Sequence, residues 1–429
     1  MKSFDPRRLC LESLIKSEKN QSFSNLEVNS AISAKDLSEK DKSFFTALFY
    51  GVVERKITLD HIIDLLSSRK DLSQKVRNLL RMGIYQILYM DKVPDSAAVD
   101  EAVKLAKSIG EYKASGLING ILRNLCRNRA DISKRLDRED DAQALSIKYS
   151  YPVWMVEMWI SCYGLENAKA IMAEQNKKAP LTLRVNTLKT DKEAVISSFE
   201  GKVIQYPSLP TAVTLTTHFN PSKSKALENG EFFIQDLASQ TAIKHLSPKK
   251  GECLIDCCCC PGGKSFSAAI EMENQGEIKA FDLHQSKLGL VDKGAKRLGI
   301  TIIRTAVGDA TKFNDTLKEW ADKIICDVPC SGLGVISKKP DIREKKPEDI
   351  SRLPEIQRSI LDNVTKYLKK GGRLLYSTST LNSAENEDIT NAFLKENKRF
   401  KRPEGYPITI MPKENEQDGF FIDIIEKTE

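Results

Sequence analysis

The chain reads as a multidomain protein. An all-α bundle over residues 1–140 precedes a small mixed α/β connector over 145–235, and an α/β domain with a mostly parallel sheet fills 236–429. Three observations predict this order. Apolar residues recur at helical spacing throughout the first 130 residues. A short run, "PLTLRVNTL" (180–188), breaks that pattern as an isolated strand. From about residue 236, strand-like and helix-like stretches alternate, which implies parallel pairing with ligands at the carboxyl ends of the strands.

In "VRNLLRMGIYQIL", Val76, Leu79, Leu80, Ile84, Ile87 and Leu88 share one helical face. "VPDSAAVDEAVKLAKSIG" supplies Pro94 with Asp95 or Ser96 as start signals and closes at Gly110, and "GLINGILRNLCRN" is a further buried helix. The charged stretch 128–143 is a linker or a solvated helix, and "YPVWMVEMWISCYG" (151–164) is an amphipathic helix. In the last part "ECLIDC", "EIKAFDL", "TIIRTAVGDA", "DKIICDVP", "GGRLLYST" and "GFFIDIIEK" are the strand candidates, with helices at 286–298 and 355–369 between them.

Hydrophobic content of 41% and charged content of 29% are those of a globular protein. No apolar run suffices to span a bilayer, and "MKSFDPRRLC" has no apolar signal-peptide region, so a cytoplasmic protein is expected. Ten cysteines suit a reducing compartment, and four of them are consecutive, Cys257 to Cys260. Cys257 and Cys260 form a C-x-x-C, but no second pair follows at zinc-finger spacing, and no metal is expected.

The net charge is +7, and residues 1–150 hold 26 Lys and Arg against 21 Asp and Glu, a difference of +5. Arg123, Arg127, Arg129, Lys134 and Arg135 cluster there, with Arg138 close by. They fit either a solvated helix end or a phosphate-contacting patch.

"LIDCCCCPGGKSF" follows one strand and opens a helix, so Gly262 and Gly263 would let the backbone approach a ligand at a helix N-terminus. A Walker A loop would need glycine where Cys258 stands, which leaves a P-loop NTPase as a distant alternative. Asp282, about 20 residues on, is placed to take two ribose hydroxyls, and Asp309 ends the next strand. Both could instead cap the helices that follow. "DVPCSGLGV" closes the fourth strand with Asp327, Pro329 and Cys330, and a thiol at such an end is a candidate nucleophile or acid/base.

Together these pieces resemble the RNA cytosine-C5 methyltransferases, Rossmann-like class I enzymes that use S-adenosyl-L-methionine. "DCCCCPGGKS" is similar to the family's D-x-C-A-A-P-G-G-K-T, and "DVPCSGLGV" to its D-x-P-C-S-G-x-G. "FIQDLASQTAIKHLSPKKGE" and "EQDGFFIDII" are also similar, and the helical front resembles the NusB-like RNA-binding domain of the bacterial 16S rRNA methyltransferase B (RsmB/Sun) family. The resemblance implies methylation of one cytosine of small-subunit rRNA at C5, by a monomer. It implies that Cys258, Cys259, Cys260, Pro261, Gly262, Gly263 and Lys264 hold methionine and ribose, that Asp282 holds the ribose, and that Asp309 lies by the adenine. Asp327 would stand between cofactor and base, and Cys330 would be the family's second cysteine, tied to product release.

The chemistry calls for a thiol. C5 of cytosine is a weak nucleophile until a thiolate adds to C6, and the base must be unstacked to be reached. The family carries its nucleophile in a T-C-S motif at the end of the fifth strand, where this chain has Thr378-Ser379-Thr380. Ser379 therefore occupies the nucleophile's position with a hydroxyl, which needs a base to attack at neutral pH. None of His61, His218, His245 and His284 is near it in sequence, and Cys259 and Cys260 replace the family's alanines. Three accounts follow: attack by Cys330, an RNA-binding pseudoenzyme with weak or no transfer, or an introduced Cys-to-Ser replacement.

Overall fold

Strands covered on both faces have no polar side to alternate with, so the C-terminal strands appear as near-continuous apolar runs. The computed structural model describes residues 5–20, 24–33, 37–69, 71–179, 181–217, 219–413 and 417–429; His218 lies outside them. The chain divides into two compact units.

The first unit comprises the residues up to Asn176 together with Lys339–Lys345. Helix Gln74–Tyr89 buries Val76, Leu79, Leu80, Ile84 and Ile87 as its spacing predicts, with Leu88 at the margin. Ser73 caps it, its hydroxyl accepting from the Val76 N–H at 3.3 Å. Helix Asp95–Ser108 begins directly after Pro94, and Gly110 follows with φ +87°. The charged stretch forms helix Arg129–Leu136, which buries only Ile132 and is a solvated helix.

One feature of this unit has no local sequence signal. The turn Pro340–Glu344, far along the chain, belongs here. Its Arg343 stacks 4.4 Å from the Tyr151 ring centroid and donates to Tyr151 Oη at 2.9 Å and Asn176 Oδ1 at 2.6 Å.

The second unit comprises Lys177–Lys338 and Lys346–Glu429. Strands β1 (Leu181–Val185), β2 (Val203–Tyr206), β3 (Leu209–Leu215) and β4 (Phe232–Ile234) form a small antiparallel sheet in the order β2-β3-β1-β4. The larger sheet contains β5 (Cys253–Asp256), β6 (Glu277–Asp282), β7 (Ile303–Val307), β8 (Ala321–Asp327), β9 (Leu368–Thr378), β10 (Phe400–Lys401), β11 (Ile408–Ile410) and β12 (Phe420–Lys427). Its order is β10-β12-β9-β8-β5-β6-β7, with β11 beside β12. Strands β5 to β9 pair in parallel and β12 runs antiparallel to β9. Strand order reverses between β5 and β8, so the loops leaving these two strands diverge and open a crevice at their carboxyl ends.

The helix expected over 355–369 is shorter than its pattern. It runs Leu353–Val364, a single tight turn covers Thr365–Tyr367, and β9 already begins at Leu368. Gly371, at φ +76°, lets β9 bulge where its register with β8 shifts between Ala321 and Lys323. No helix among the described residues is long and apolar enough to cross a membrane.

Candidate active site

The β5 strand delivers Asp256 to the base of the crevice, 1% exposed. Ser265 Oγ donates to Asp256 Oδ2 at 2.6 Å, while Oδ1 is buried without a hydrogen-bond partner. Burial, with only partial relief from the Ser265 hydroxyl, pushes this carboxyl up to about 7. The loop Cys257–Gly262 then turns into helix Gly263–Glu271, whose N-cap, Gly262, sits at φ +107° and offers no side chain to the first turn. The leading amides of that helix are thus open to a ligand carboxylate.

All ten cysteines are free thiols. Cys257 and Cys259 are buried while Cys258 and Cys260 are partly exposed. Cys260 lies against Asp282, and burial together with that carboxylate pushes its thiol up to about 11. These thiols are protonated at neutral pH and poorly nucleophilic. Among the described residues no group of three or more His, Cys, Asp or Glu is arranged to hold a metal ion.

Asp282 ends β6 and Asp309 follows β7, on the same side of the sheet. Each also makes a turn: Asp282 Oδ1 accepts from the His284 N–H at 2.9 Å, and Asp309 Oδ1 from the Thr311 N–H at 3.0 Å. These bonds hold one oxygen of each carboxylate in place. Leu283, beside Asp282, is 60% exposed, an apolar surface at the mouth of the crevice.

The other wall is built by the ends of β8 and β9. Asp327 accepts from Lys264 Nζ through Oδ2 and from Ser377 Oγ through Oδ1, both at 2.7 Å. Lys264 also lies 5.0 Å from the Phe420 ring centroid, so its ammonium is fixed between a carboxylate and a ring face. Cys330 Sγ stands 3.4 Å from Ser379 Oγ. The backbone holds these two loops together, the Gly334 N–H donating to Ser379 O at 3.0 Å and the Gly419 N–H to Gly334 O at 2.8 Å. Burial raises the Cys330 thiol above its ordinary value, hydrogen bonding to Ser379 partly offsets the rise, and the charges of Glu385 and Asp327 add to it.

An orphaned buried carboxylate oxygen, an uncapped helix start and two aspartates at successive strand ends offer partners to an amino-acid–nucleoside cofactor. Comparison with known proteins specifies the class. Residues 243–426 match the family described as 16S rRNA methyltransferase RsmB/F, residues 5–127 the NusB family, and residues 151–220 the ferredoxin-like domain of RsmF/B-like methyltransferases. A probable ribosomal RNA small subunit methyltransferase B of Bacillus subtilis is 36% identical over 442 residues, covering 98% of both chains. The chain belongs to the RsmB/F family of 16S rRNA methyltransferases. The corresponding protein of Vibrio cholerae is 30% identical, over 92% of this chain and 91% of its own. The solved structure of PH0851 superimposes with a TM-score of 0.80 at 26% identity, covering 99% of each chain. A methyltransferase homologue from Pyrococcus horikoshii gives 0.59 at 25% identity, over 68% of this chain and all of its own. S-adenosylmethionine is the RsmB/F family's methyl donor.

Within this RsmB/F fold, the residues singled out from sequence fall into two places. Cys258 to Lys264, Asp282, Asp309, Asp327, Cys330 and Ser379 lie at or just beyond the carboxyl ends of β5 to β9. Arg123, Arg127, Arg129, Lys134 and Arg135 lie on the first unit, all exposed. There Arg129 pairs with Asp95 at 2.7 Å and Arg135 with Asp131 at 2.9 Å, whereas Arg123, Arg127 and Lys134 make no ion pair among the described residues. Sequence reasoning missed Asp256, although it ends the strand within "LIDC", and Leu283. It also gave Glu385 no place in the site. Glu385 closes the tight turn Ser383–Glu385, fully buried, and the helix runs Glu387–Glu396.

Proposed function

We propose that this rRNA methyltransferase acts on C5 of a cytosine in 16S rRNA and that Cys330 is its attacking thiol. The observation carrying this is the 3.4 Å separation of Cys330 Sγ and Ser379 Oγ. A base ring within reach of one atom is within reach of the other, and only Cys330 can become a thiolate. Among the described residues Ser379 Oγ has the Cys330 thiol as its side-chain hydrogen-bond partner, and no imidazole, amine or carboxylate hydrogen-bonds it to take its proton.

Cys258 to Lys264, Asp282 and Asp309 would hold S-adenosylmethionine, with the methionine carboxylate at the amides of helix Gly263–Glu271 and the ribose at Asp282. That cofactor supplies an electrophilic methyl group. Asp327, anchored by Lys264 and Ser377, would face the amino edge of the cytosine. Addition of the Cys330 thiolate to C6 places electron density on C5. After methylation, transfer of the C5 proton to solvent re-forms the C5–C6 double bond and expels Sγ as the thiolate. The exposed cations Arg123, Arg127, Arg129, Lys134 and Arg135 would contact rRNA phosphates. The domain division 1–140, 145–235 and 236–429 assigns RNA docking to the first part and chemistry to the last.

Labelled-methyl transfer to unmodified small-subunit rRNA tests this. The parent should transfer slowly, and Cys330→Ala should abolish transfer while S-adenosylmethionine binding persists. Unchanged transfer by Cys330→Ala would overturn the assignment. No transfer by the parent, with RNA and cofactor both bound, would favour the pseudoenzyme reading.

A further inference from the structure

Glu385 is a carboxylate near Cys330 and Ser379 that the proposed chemistry leaves without a role. It is fully buried and no basic side chain pairs with it among the described residues. Its oxygens accept from the Ser331 N–H at 2.8 Å, Ser331 Oγ at 2.5 Å, Gln357 Nε2 at 2.9 Å and Asn382 Nδ2 at 2.9 Å. Both amide orientations are set by second partners, since Gln357 Nε2 also donates to Pro329 O and Asn382 Oδ1 accepts from the Ala384 N–H. The three nitrogens can therefore only donate to Glu385, which matches an ionised acceptor.

These donors bracket Cys330. Pro329, before it, is held by Gln357, and Ser331, after it, is held by Glu385. On the other loop, Thr380 beside Ser379 meets Ser331 Oγ at 2.6 Å, and Asn382 follows two residues after Thr380. Glu385 thus joins both loops through hydrogen bonds that a charged acceptor makes strong.

We propose that Glu385 is a positioning residue that fixes the spacing of Cys330 and position 379 and holds Cys330 as a neutral thiol in the resting protein. An uncompensated buried anion disfavours a second negative charge beside it, and low local polarity lengthens its reach. The other groups facing Cys330 are Asp327 from β8, already matched by Lys264, the Tyr376 phenol from β9 and the Ser379 hydroxyl. None of these supplies a positive charge directly to the thiol.

This inference rests on Cys330 as the reacting thiol, but its test needs no methyl transfer. The rate of Cys330 alkylation by iodoacetamide, read by mass spectrometry of its peptide between pH 6.5 and 10.5, gives the thiol's midpoint in the full chain. In the parent that midpoint should lie above the ordinary ~8.5. Glu385→Gln should lower it by about one pH unit, and alkylation at pH 8 should quicken about tenfold. Glu385→Asp, which keeps the charge, should stay within a few tenths of a unit of the parent. The Cys253 midpoint in the same unit should not move in either variant. A parent midpoint at or below ~8.5 would overturn the proposal, even if Glu385→Gln fails to fold. So would a folded Glu385→Gln that quickens Cys330 and Cys253 alike, since that reports a loosened structure and not a removed charge.

Discussion

Cys330 Sγ and Ser379 Oγ face each other across 3.4 Å at the ends of the neighbouring parallel strands β8 and β9. One position offers sulfur and the other oxygen, so the chemistry available to this member of the RsmB/F family depends on how each atom loses its proton. Among the described residues no base hydrogen-bonds Ser379 Oγ, and burial near Glu385 and Asp327 raises the Cys330 thiol above its ordinary value.

Methyl transfer by the parent should therefore be slow and should climb with pH. Below the thiol's pKa each unit of pH multiplies the thiolate tenfold, so initial rates should rise about tenfold from pH 7 to pH 8. Ser379→Cys should raise transfer at pH 7.5 on the order of 100-fold or more, because it returns a thiol to the family's nucleophile position. Equal rates for the two proteins would show that position 379 takes no part in attack.

Asp256 gives a pH signature in stability. Burial raises its carboxyl to about 7, so the folded chain keeps a proton that the unfolded chain has released. The stabilisation is full below the ordinary value near 3.8 and is lost as pH rises through about 7. Its upper bound is about 4 kcal/mol. Asp256→Asn should remove this loss. The difference in Tm between variant and parent should grow from pH 5 to about pH 7 and then level off, whereas a constant difference would contradict the raised carboxyl.

Gly334 is required by close backbone approach. A Cβ there would meet Gly419 O at 2.1 Å, and neither backbone can withdraw without disturbing the bond from the Gly334 N–H to Ser379 O. Gly334→Ala should cost about 2–3 kcal/mol in denaturant unfolding. It should also depress transfer in the Ser379→Cys background more than cofactor binding.

In the helical unit the unpaired cations should matter more than the paired ones. Replacing Arg123, Arg127 and Lys134 together by alanine should weaken rRNA binding and flatten its dependence on salt. Each phosphate that is no longer neutralised should take roughly 0.7–0.9 from the slope of log affinity against log salt. Arg129→Ala and Arg135→Ala should do less, since Asp95 and Asp131 already neutralise them. An unchanged slope in the triple variant would place the RNA elsewhere.

The strand ends carrying Asp282, Asp309, Asp327 and Cys330 were legible in the chain because each stands where an apolar run stops and small residues begin. That signal is local. Glu385 was not legible, because "SAENED" has the composition of a helix start and only distant donors, Ser331 and Gln357, reveal it as a buried acceptor. Arg343 was equally invisible, since its partners Tyr151 and Asn176 lie more than 160 residues away. The end of helix Leu353–Val364 was overshot because lysine and leucine suit a helix, while the Gly371 bulge set β9 earlier.

The identity of the attacking atom can be read directly. An RNA fragment of the small subunit carrying 5-fluorocytosine has no C5 proton to lose, so the bond to C6 persists after methylation. With S-adenosylmethionine present, digestion and mass spectrometry of the parent should find the nucleotide on the peptide containing Cys330. An adduct on the peptide containing Ser379, or none under conditions where Ser379→Cys forms one, would contradict the account.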